Sequence, residues 1–127
     1  MRRGLLLAAA VGLLAACGKG AEPSRAGELT VGLFEAGSDA GAILLTISGG
    51  TVESVRAAGG QQVSYSTPAA GTTRVVILGT LQTGELLKIQ VPDTSRVADY
   101  TARIDQVADK VTFALLDPSA YSLSVHR

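Results

Sequence analysis

The sequence predicts an all-β protein, an antiparallel β-sandwich of about eight or nine short strands. Apolar residues recur at every second position through most of residues 28–127, which is the period of a strand with one buried face. The chain contains 15 glycines, and many of them separate these alternating runs. Short alternating runs with turn residues between them favour a sandwich over a helical or mixed fold.

The alternating runs give the strands in chain order. They are Leu29, Val31 and Leu33; Ile43, Leu45 and Ile47; Val63 and Tyr65; Leu87, Ile89 and Val91; Val111, Phe113 and Leu115; and Tyr121, Leu123 and Val125. The last two runs flank the turn sequence Asp117-Pro118-Ser119, so we expect them to form a terminal hairpin. Most aromatic residues alternate in phase with aliphatic neighbours, which predicts that they belong to the core.

Glycines between the runs predict the chain reversals. The pairs Gly49-Gly50 and Gly59-Gly60 separate strand-like runs, and glycine reaches the positive-φ conformations that tight turns require. The segment 79–84 begins and ends with glycine, but neither Lys-Ser nor Lys-Thr follows it and no helix begins after it. We therefore expect a hairpin loop there rather than a phosphate-binding loop.

One segment fits two patterns. Apolar residues from Val97 to Val111 are spaced like one face of a helix, with Thr94 or Ser95 as its N-cap. Apolar residues of the same segment also alternate, and the neighbouring elements are all β. The prediction is a strand or one short helix near residues 95–108, with the strand preferred.

The first residues predict a secretory signal peptide. Two arginines precede an apolar run from Leu5 to Ala16, which is shorter than the roughly 20 residues that cross a bilayer. We expect residues 1–16 to be removed and residues 17–27 to form a flexible tether. Residues 28–127 are then long enough for a single domain.

The end of this signal, Leu14-Ala15-Ala16-Cys17, resembles the lipobox of bacterial lipoproteins. The resemblance implies cleavage before Cys17, attachment of diacylglycerol to its thiol, and a further acyl chain such as palmitate on its amine. Two or three acyl chains anchor a protein to a membrane essentially permanently. Gly18 follows the cysteine, and by resemblance to lipoproteins of two-membrane bacteria this favours the outer over the inner membrane of the cell envelope.

Charge and composition narrow the function. Eleven basic and eleven acidic residues leave no net charge, and no basic run occurs, so nucleic acid is not an expected partner. Cys17 is the only cysteine, and His126, the only histidine, lies one residue from the C-terminus. They supply no zinc ligand set, and a Ser/His/Asp arrangement would depend on the chain end. We therefore predict no catalytic residue, no cofactor and no metal site.

Two other site hypotheses have little support in the sequence. Asp93, Asp99, Asp105 and Asp109 supply the oxygen ligands that calcium takes, but they do not follow the alternating Asp-x-Asp-x-Asp-Gly loop. Sugar binding usually depends on aromatic rings, and the chain has three tyrosines, two phenylalanines and no tryptophan. Solvated acids and core aromatics are the expected roles.

Three segments are similar in order and spacing to cohesin-like β-sandwich domains. They are Ala42–Gly49, Arg74–Gly79 and Gly84–Ile89. The resemblance implies a non-enzymatic domain that binds protein partners or takes part in surface assemblies. It carries over no partner-binding residue to this chain.

These observations favour a membrane-anchored lipoprotein that acts as a non-catalytic binding or structural module and contacts a protein or envelope component. The alternative is a small carbohydrate-active or hydrolase-like secreted protein. A cleft that gathers Asp93, Asp99 and Glu53 would favour the enzyme. A flat apolar or mixed face would favour the binding module.

Overall fold

A computed structural model of the protein describes residues 25–35 and 39–127. The strands in these residues are β1 (Gly27–Glu35), β2 (Ala40–Ser48), β3 (Ser54–Ala57), β4 (Gln62–Ala69), β5 (Thr72–Leu78), β6 (Gly84–Val91), β7 (Thr101–Asp109), β8 (Leu115–Leu116) and β9 (Tyr121–His126). Two short 3₁₀ helices, Thr94–Asp99 and Pro118–Ala120, connect β6 to β7 and β8 to β9. The predicted all-β class is confirmed.

The strands form two antiparallel sheets that pack face to face. The four-stranded sheet has the order β3-β6-β1-β9, and the five-stranded sheet has the order β4-β5-β2-β7-β8. Only β4 to β5 and β7 to β8 are connected within a sheet, and the other connections cross between the sheets. This is the sandwich that the sequence predicts.

The core consists of the inward positions of the strands. The predicted alternating residues of β1, β2 and β6 are all buried: Leu29, Val31, Leu33, Ile43, Leu45, Ile47, Leu87, Ile89 and Val91. Val75 and Ile77 of β5 complete the layer from the five-stranded sheet. Each such side chain contributes roughly 1.5–3 kcal/mol by its burial. The period that predicts the strands therefore also determines the core.

The two ends of the sandwich differ in what they carry. β1 begins at Gly27, opposite Val91 of β6, and ends at Glu35, opposite Tyr121 of β9. We call the end at Gly27 proximal and the end at Glu35 distal. The predicted tether, residues 17–27, joins the sandwich at the proximal end, where its last residue already belongs to β1.

Two predicted hairpins are wrong. β8 pairs with β7 in the five-stranded sheet and β9 pairs with β1 in the four-stranded sheet, so the last two runs do not pair with each other. The segment between Gly79 and Gly84 also connects the two sheets, from β5 to β6. Turn residues show where a chain reverses, but they do not specify which sheet the next strand enters.

The segment with two possible patterns contains both kinds of structure. The first 3₁₀ helix covers Thr94–Asp99, and the strand β7 follows it over Thr101–Asp109. The predicted cap is wrong, because Asp93 caps the 3₁₀ helix by accepting a hydrogen bond from the backbone N–H of Ser95 at 3.0 Å. The preferred strand prediction is confirmed for the second half of the segment.

Candidate functional site

The predicted site residues do not meet in one place. Cys17 lies outside the described residues, and its lipidation stays a prediction. His126 is the last residue of β9 and pairs with Thr30 of β1, so the sheet holds its backbone in place. In the described part of the chain, no three His, Cys, Asp or Glu residues are grouped so that they could hold a metal ion.

Two of the four aspartates considered for calcium stabilise local turns. Asp93 accepts hydrogen bonds from the hydroxyl and the backbone N–H of Ser95, and these bonds lower the pKa of Asp93. Asp109 accepts hydrogen bonds from the backbone N–H groups of Val111 at 2.8 Å and Thr112 at 2.9 Å, which lower its pKa. Asx turns of this kind fix the path of a loop.

A proximal pocket of about 270 Å³ brings Asp93 and Asp99 together. Arg96 also lines this pocket, and its Nε donates a hydrogen bond to Asp99 Oδ2 at 2.8 Å. Tyr100 forms another wall, and burial raises the pKa of its hydroxyl. Glu53 is not among the lining residues, so the three acids that would favour an enzyme do not converge.

The outward side of the five-stranded sheet carries an extended apolar surface in its distal half. Leu44 of β2 lies opposite Val76 of β5, and Leu78 continues the same side of β5. We call this surface the apolar face. It comprises Leu44, Val76, Leu78, Val111, Phe113 and Leu115.

Two adjoining depressions mark the apolar face. One, of about 590 Å³, is lined by Leu78, Val111 and Phe113, and the other, of about 250 Å³, by Leu44, Val76 and Leu115. Val111, Phe113 and Leu115 are 73%, 79% and 70% exposed. Their exposure follows from the turn that Asp109 stabilises, in which Phe113 has a φ of 60°. Non-glycine residues seldom adopt this left-handed backbone conformation.

The proximal half of the same outward side is polar. Thr46 of β2 is buried, and its Oγ1 donates a hydrogen bond to Asp105 Oδ2 at 2.5 Å. Arg103 Nε donates to the other oxygen of Asp105 at 3.1 Å. Arg74 lies opposite Thr46 on β5 and forms no ion pair with any other described residue. The apolar face is therefore bordered by an exposed guanidinium group.

The outward side of the four-stranded sheet has a groove that combines apolar, hydroxyl and charged side chains. We call it the Gly32 groove, and its volume is about 330 Å³. The side chains that line it include those of Phe34, Thr83, Glu85, Ser122, Ser124 and His126. Gly32 forms the floor, because it lies opposite Ser124 on one neighbouring strand and Glu85 on the other.

The groove contains residue types that hydrolases use, but they are not connected. Ser124, His126 and Glu85 surround Gly32, and no hydrogen bond joins these three side chains in the described part of the chain. Glu85 forms an ion pair with Lys88 at 3.3 Å. A serine nucleophile needs a base within about 2.6–3.2 Å, which this arrangement does not provide.

The expected placement of the aromatic residues in the core is wrong for three of the five. Phe34, Tyr65 and Phe113 are 63%, 44% and 79% exposed, whereas Tyr100 is buried and Tyr121 is half-buried. Phe34 directly follows the buried Leu33, so the alternation itself places its side chain outward. For Phe34 that phase was the available signal. Phe113 is in phase with Val111 and Leu115, and it is exposed because it lies in the turn between β7 and β8.

Comparison of the chain with protein-family models, with curated proteins and with solved structures gave no match. Within residues 25–35 and 39–127, no helix is long and apolar enough to span a membrane. The features of the chain that bear on its function are therefore the lipobox resemblance and the two outward surfaces.

Proposed function

We propose that the protein is a lipid-anchored lipoprotein of the bacterial cell envelope, and that its sandwich binds a protein partner through the apolar face without catalysis. The observation that carries this proposal is the exposure of Val111, Phe113 and Leu115 beside the apolar side chains of β2 and β5. Contiguous exposed apolar side chains with a polar border are typical of interaction sites. The lipobox resemblance at Leu14–Cys17 supports the anchor.

The position of the apolar face favours a protein partner over the anchoring membrane. The chain enters the sandwich at the proximal end, where the carbonyl of Arg25 accepts a hydrogen bond from the N–H of Thr94. The apolar face lies toward the other end of β2, a nine-residue strand that spans about 27 Å. The apolar face therefore lies in the half of the domain that is farther from the point where the chain enters.

The charge beside the apolar face favours a partner that carries a carboxylate. Arg74 follows the line of Val76 and Leu78 along the outward side of β5, and it is exposed. Asp105 is already paired with Arg103 and hydrogen-bonded to Thr46, while Arg74 forms no ion pair with any other described residue. A guanidinium group binds a carboxylate in a bidentate geometry, so an Asp or Glu next to an apolar side chain would match this border.

Photo-cross-linking in intact cells tests the assignment of the apolar face. The full-length chain carries a photoreactive phenylalanine analogue at position 113, and a matched chain carries it at position 34, an exposed phenylalanine on the other sheet. We expect a discrete protein adduct from position 113 and none of the same mass from position 34. Equal adducts from both positions, or adducts with lipid alone from position 113, would contradict the proposal.

Growth of cells with labelled palmitate, for the parent chain and for a Cys17→Ser variant, tests the lipid anchor separately. We expect labelled palmitate to be incorporated into the parent chain and not into the variant, and we expect the variant to keep residues 1–16 because its processing is blocked. The variant should remain folded, because the sequence gives Cys17 no packing role. A parent chain that takes up no label, or a variant that is labelled as strongly as the parent, would refute lipidation at Cys17 and would leave the test of the apolar face unaffected.

A further inference from the structure

We infer that the Gly32 groove binds a neutral oligosaccharide, on the sheet opposite the apolar face. The groove combines an exposed aromatic ring, three hydroxyl side chains, a carboxylate and an imidazole within about 330 Å³. It shares no residue with the apolar face. The inference therefore goes beyond the proposed protein contact and does not depend on it.

The floor of the groove exists because residue 32 has no side chain. A Cβ built at Gly32 would lie 2.9 Å from Ser124 Oγ, 3.4 Å from His126 Cε1 and 3.7 Å from the carbonyl oxygen of Gly84. These distances show that Ser124 and His126 converge over the same point of β1. Any larger residue at position 32 would fill the space that they surround.

The lining groups match the chemistry of a sugar ring. Phe34 is 63% exposed and offers a flat apolar surface for the C–H face of a pyranose. Ser122 and Ser124 can each donate and accept hydrogen bonds, and Glu85 can accept them from sugar hydroxyls. Thr83 Oγ1 accepts a hydrogen bond from the N–H of Glu35 and keeps its own hydroxyl proton free to donate.

The strand arrangement disfavours an extended peptide as the occupant. β1 is paired with β6 on one side and with β9 on the other, so a peptide cannot add to β1 as a further strand. A ligand that lies over Gly32 on the face of the sheet meets side chains rather than the paired backbone of β1, which suits a polyhydroxyl ligand. Lys88 pairs with Glu85 at 3.3 Å and offsets its charge, so the groove favours a neutral saccharide over an anionic one.

An NMR titration of the ¹⁵N-labelled full-length chain tests the inference, in micelles of a phosphocholine detergent that has no sugar headgroup. The probes are cellohexaose, chitohexaose and maltohexaose, added one at a time, with hexaproline as the peptide probe. We expect saturable shifts of the Gly32 and Ser124 amides with at least one of the hexasaccharides. The amides of Leu44 and Val76 on the other sheet serve as the internal control and should not move.

Three variants connect such binding to the groove. Phe34→Ala should weaken saccharide binding by about 5- to 10-fold, because it removes an aromatic contact of ordinary strength. Gly32→Val should abolish the shifts, and Phe113→Ala, the matched control on the apolar face, should leave them unchanged. The dispersion of each variant's amide spectrum shows whether it is folded.

Three results would overturn the saccharide assignment. They are the absence of saturable shifts with all three hexasaccharides, shifts that persist unchanged in folded Phe34→Ala, and shifts at the groove with hexaproline alone. Each of them leaves the cross-linking test at position 113 intact. Failure of this inference is therefore distinguishable from failure of the proposed protein contact.

Discussion

The two outward faces of the sandwich differ, although the inward faces are built in the same way. The five-stranded sheet exposes Val76, Leu78 and Phe113 in its distal half, whereas the four-stranded sheet exposes Ser122 and Ser124 around a glycine floor. Inward positions are aliphatic on both sheets because the core excludes water. Outward positions are free of that requirement, so they are where binding specificity can reside.

The central strands β1 and β2 each carry a buried threonine that is hydrogen-bonded to a charged side chain, and the two charges are opposite. Thr30 of β1 accepts a hydrogen bond from Lys88 Nζ at 2.7 Å, and Thr46 of β2 donates one to Asp105 at 2.5 Å. Both threonines are buried although they point away from the core. A charged side chain from the neighbouring strand is hydrogen-bonded to each of them, the Lys88 ammonium on one face and the Asp105 carboxylate on the other.

The largest expected effect is a difference in the free energy of unfolding between substitutions at two glycines, Gly41 of β2 and Gly32 of β1. A Cβ at Gly41 would overlap the backbone of Lys110, where the turn that carries Phe113 begins. Gly41→Ala should lower the free energy of unfolding by about 1–3 kcal/mol, because the backbone of that turn must move. In Gly32→Ala, the Ser124 hydroxyl can rotate away, so the change should stay within about 0.5 kcal/mol.

Urea unfolding followed by circular dichroism measures both glycine variants. Equal losses of unfolding free energy would show that the close approach of Lys110 to β2 has no special importance. In that case, the turn that presents the apolar face would be no more firmly placed than the groove.

The two buried threonines give the next largest effect. Thr30→Val and Thr46→Val should each lower the free energy of unfolding by about 1 kcal/mol, because each removes a hydrogen bond to a charged side chain. Thr101→Val, at an exposed position of β7, is the matched control and should change it by less than about 0.5 kcal/mol. Denaturant titrations at neutral pH check all three. If only one of Thr30→Val and Thr46→Val lowered the free energy of unfolding, the two hydrogen bonds would not be equivalent.

The smallest effect concerns Glu35, which lies at the distal end between the two faces. Burial raises the pKa of its carboxyl, with a further contribution from the charge of Asp39, and its Oε2 accepts no hydrogen bond in the described part of the chain. The folded state therefore holds this proton more tightly than the unfolded state. Its contribution to stability falls as the pH rises from about 4.5 through the raised pKa. Glu35→Gln should remove this loss.

Asp117 provides a control of opposite sign. The backbone N–H of Ser119 donates to its carboxylate and lowers the pKa of Asp117, so its contribution is present above about 3.8 and disappears as the pH falls. Unfolding free energies measured from pH 3 to pH 8 should show Glu35→Gln and Asp117→Asn diverging from the parent in opposite directions. The same direction for both would show that the burial of Glu35 has been misassigned.

Much of the fold could be predicted because alternation is a local property. The runs of Leu29 to Leu33 and Leu87 to Val91 are buried as the period of two requires. Part of the apolar face was predictable in the same way, since assigning Val75 and Ile77 to the core leaves Val76 and Leu78 outward. The Gly32 groove was not predictable, because it needs β9 beside β1, and the turn at Asp117 favours a different pairing.

By itself, the sequence determined the all-β class, the positions of β1, β2, β4, β6 and β9, and many of the core residues. The run from Val111 to Leu115, which also predicts a strand, is mostly a turn. It also supplies the lipobox resemblance at Cys17, which stays a prediction. Only the tertiary structure decided which strands are neighbours, and thereby brought Phe113 beside Leu78, and His126 beside Gly32. The reason is physical: the direction of a side chain follows from its own backbone, whereas strand pairing depends on how the whole chain buries its apolar surface.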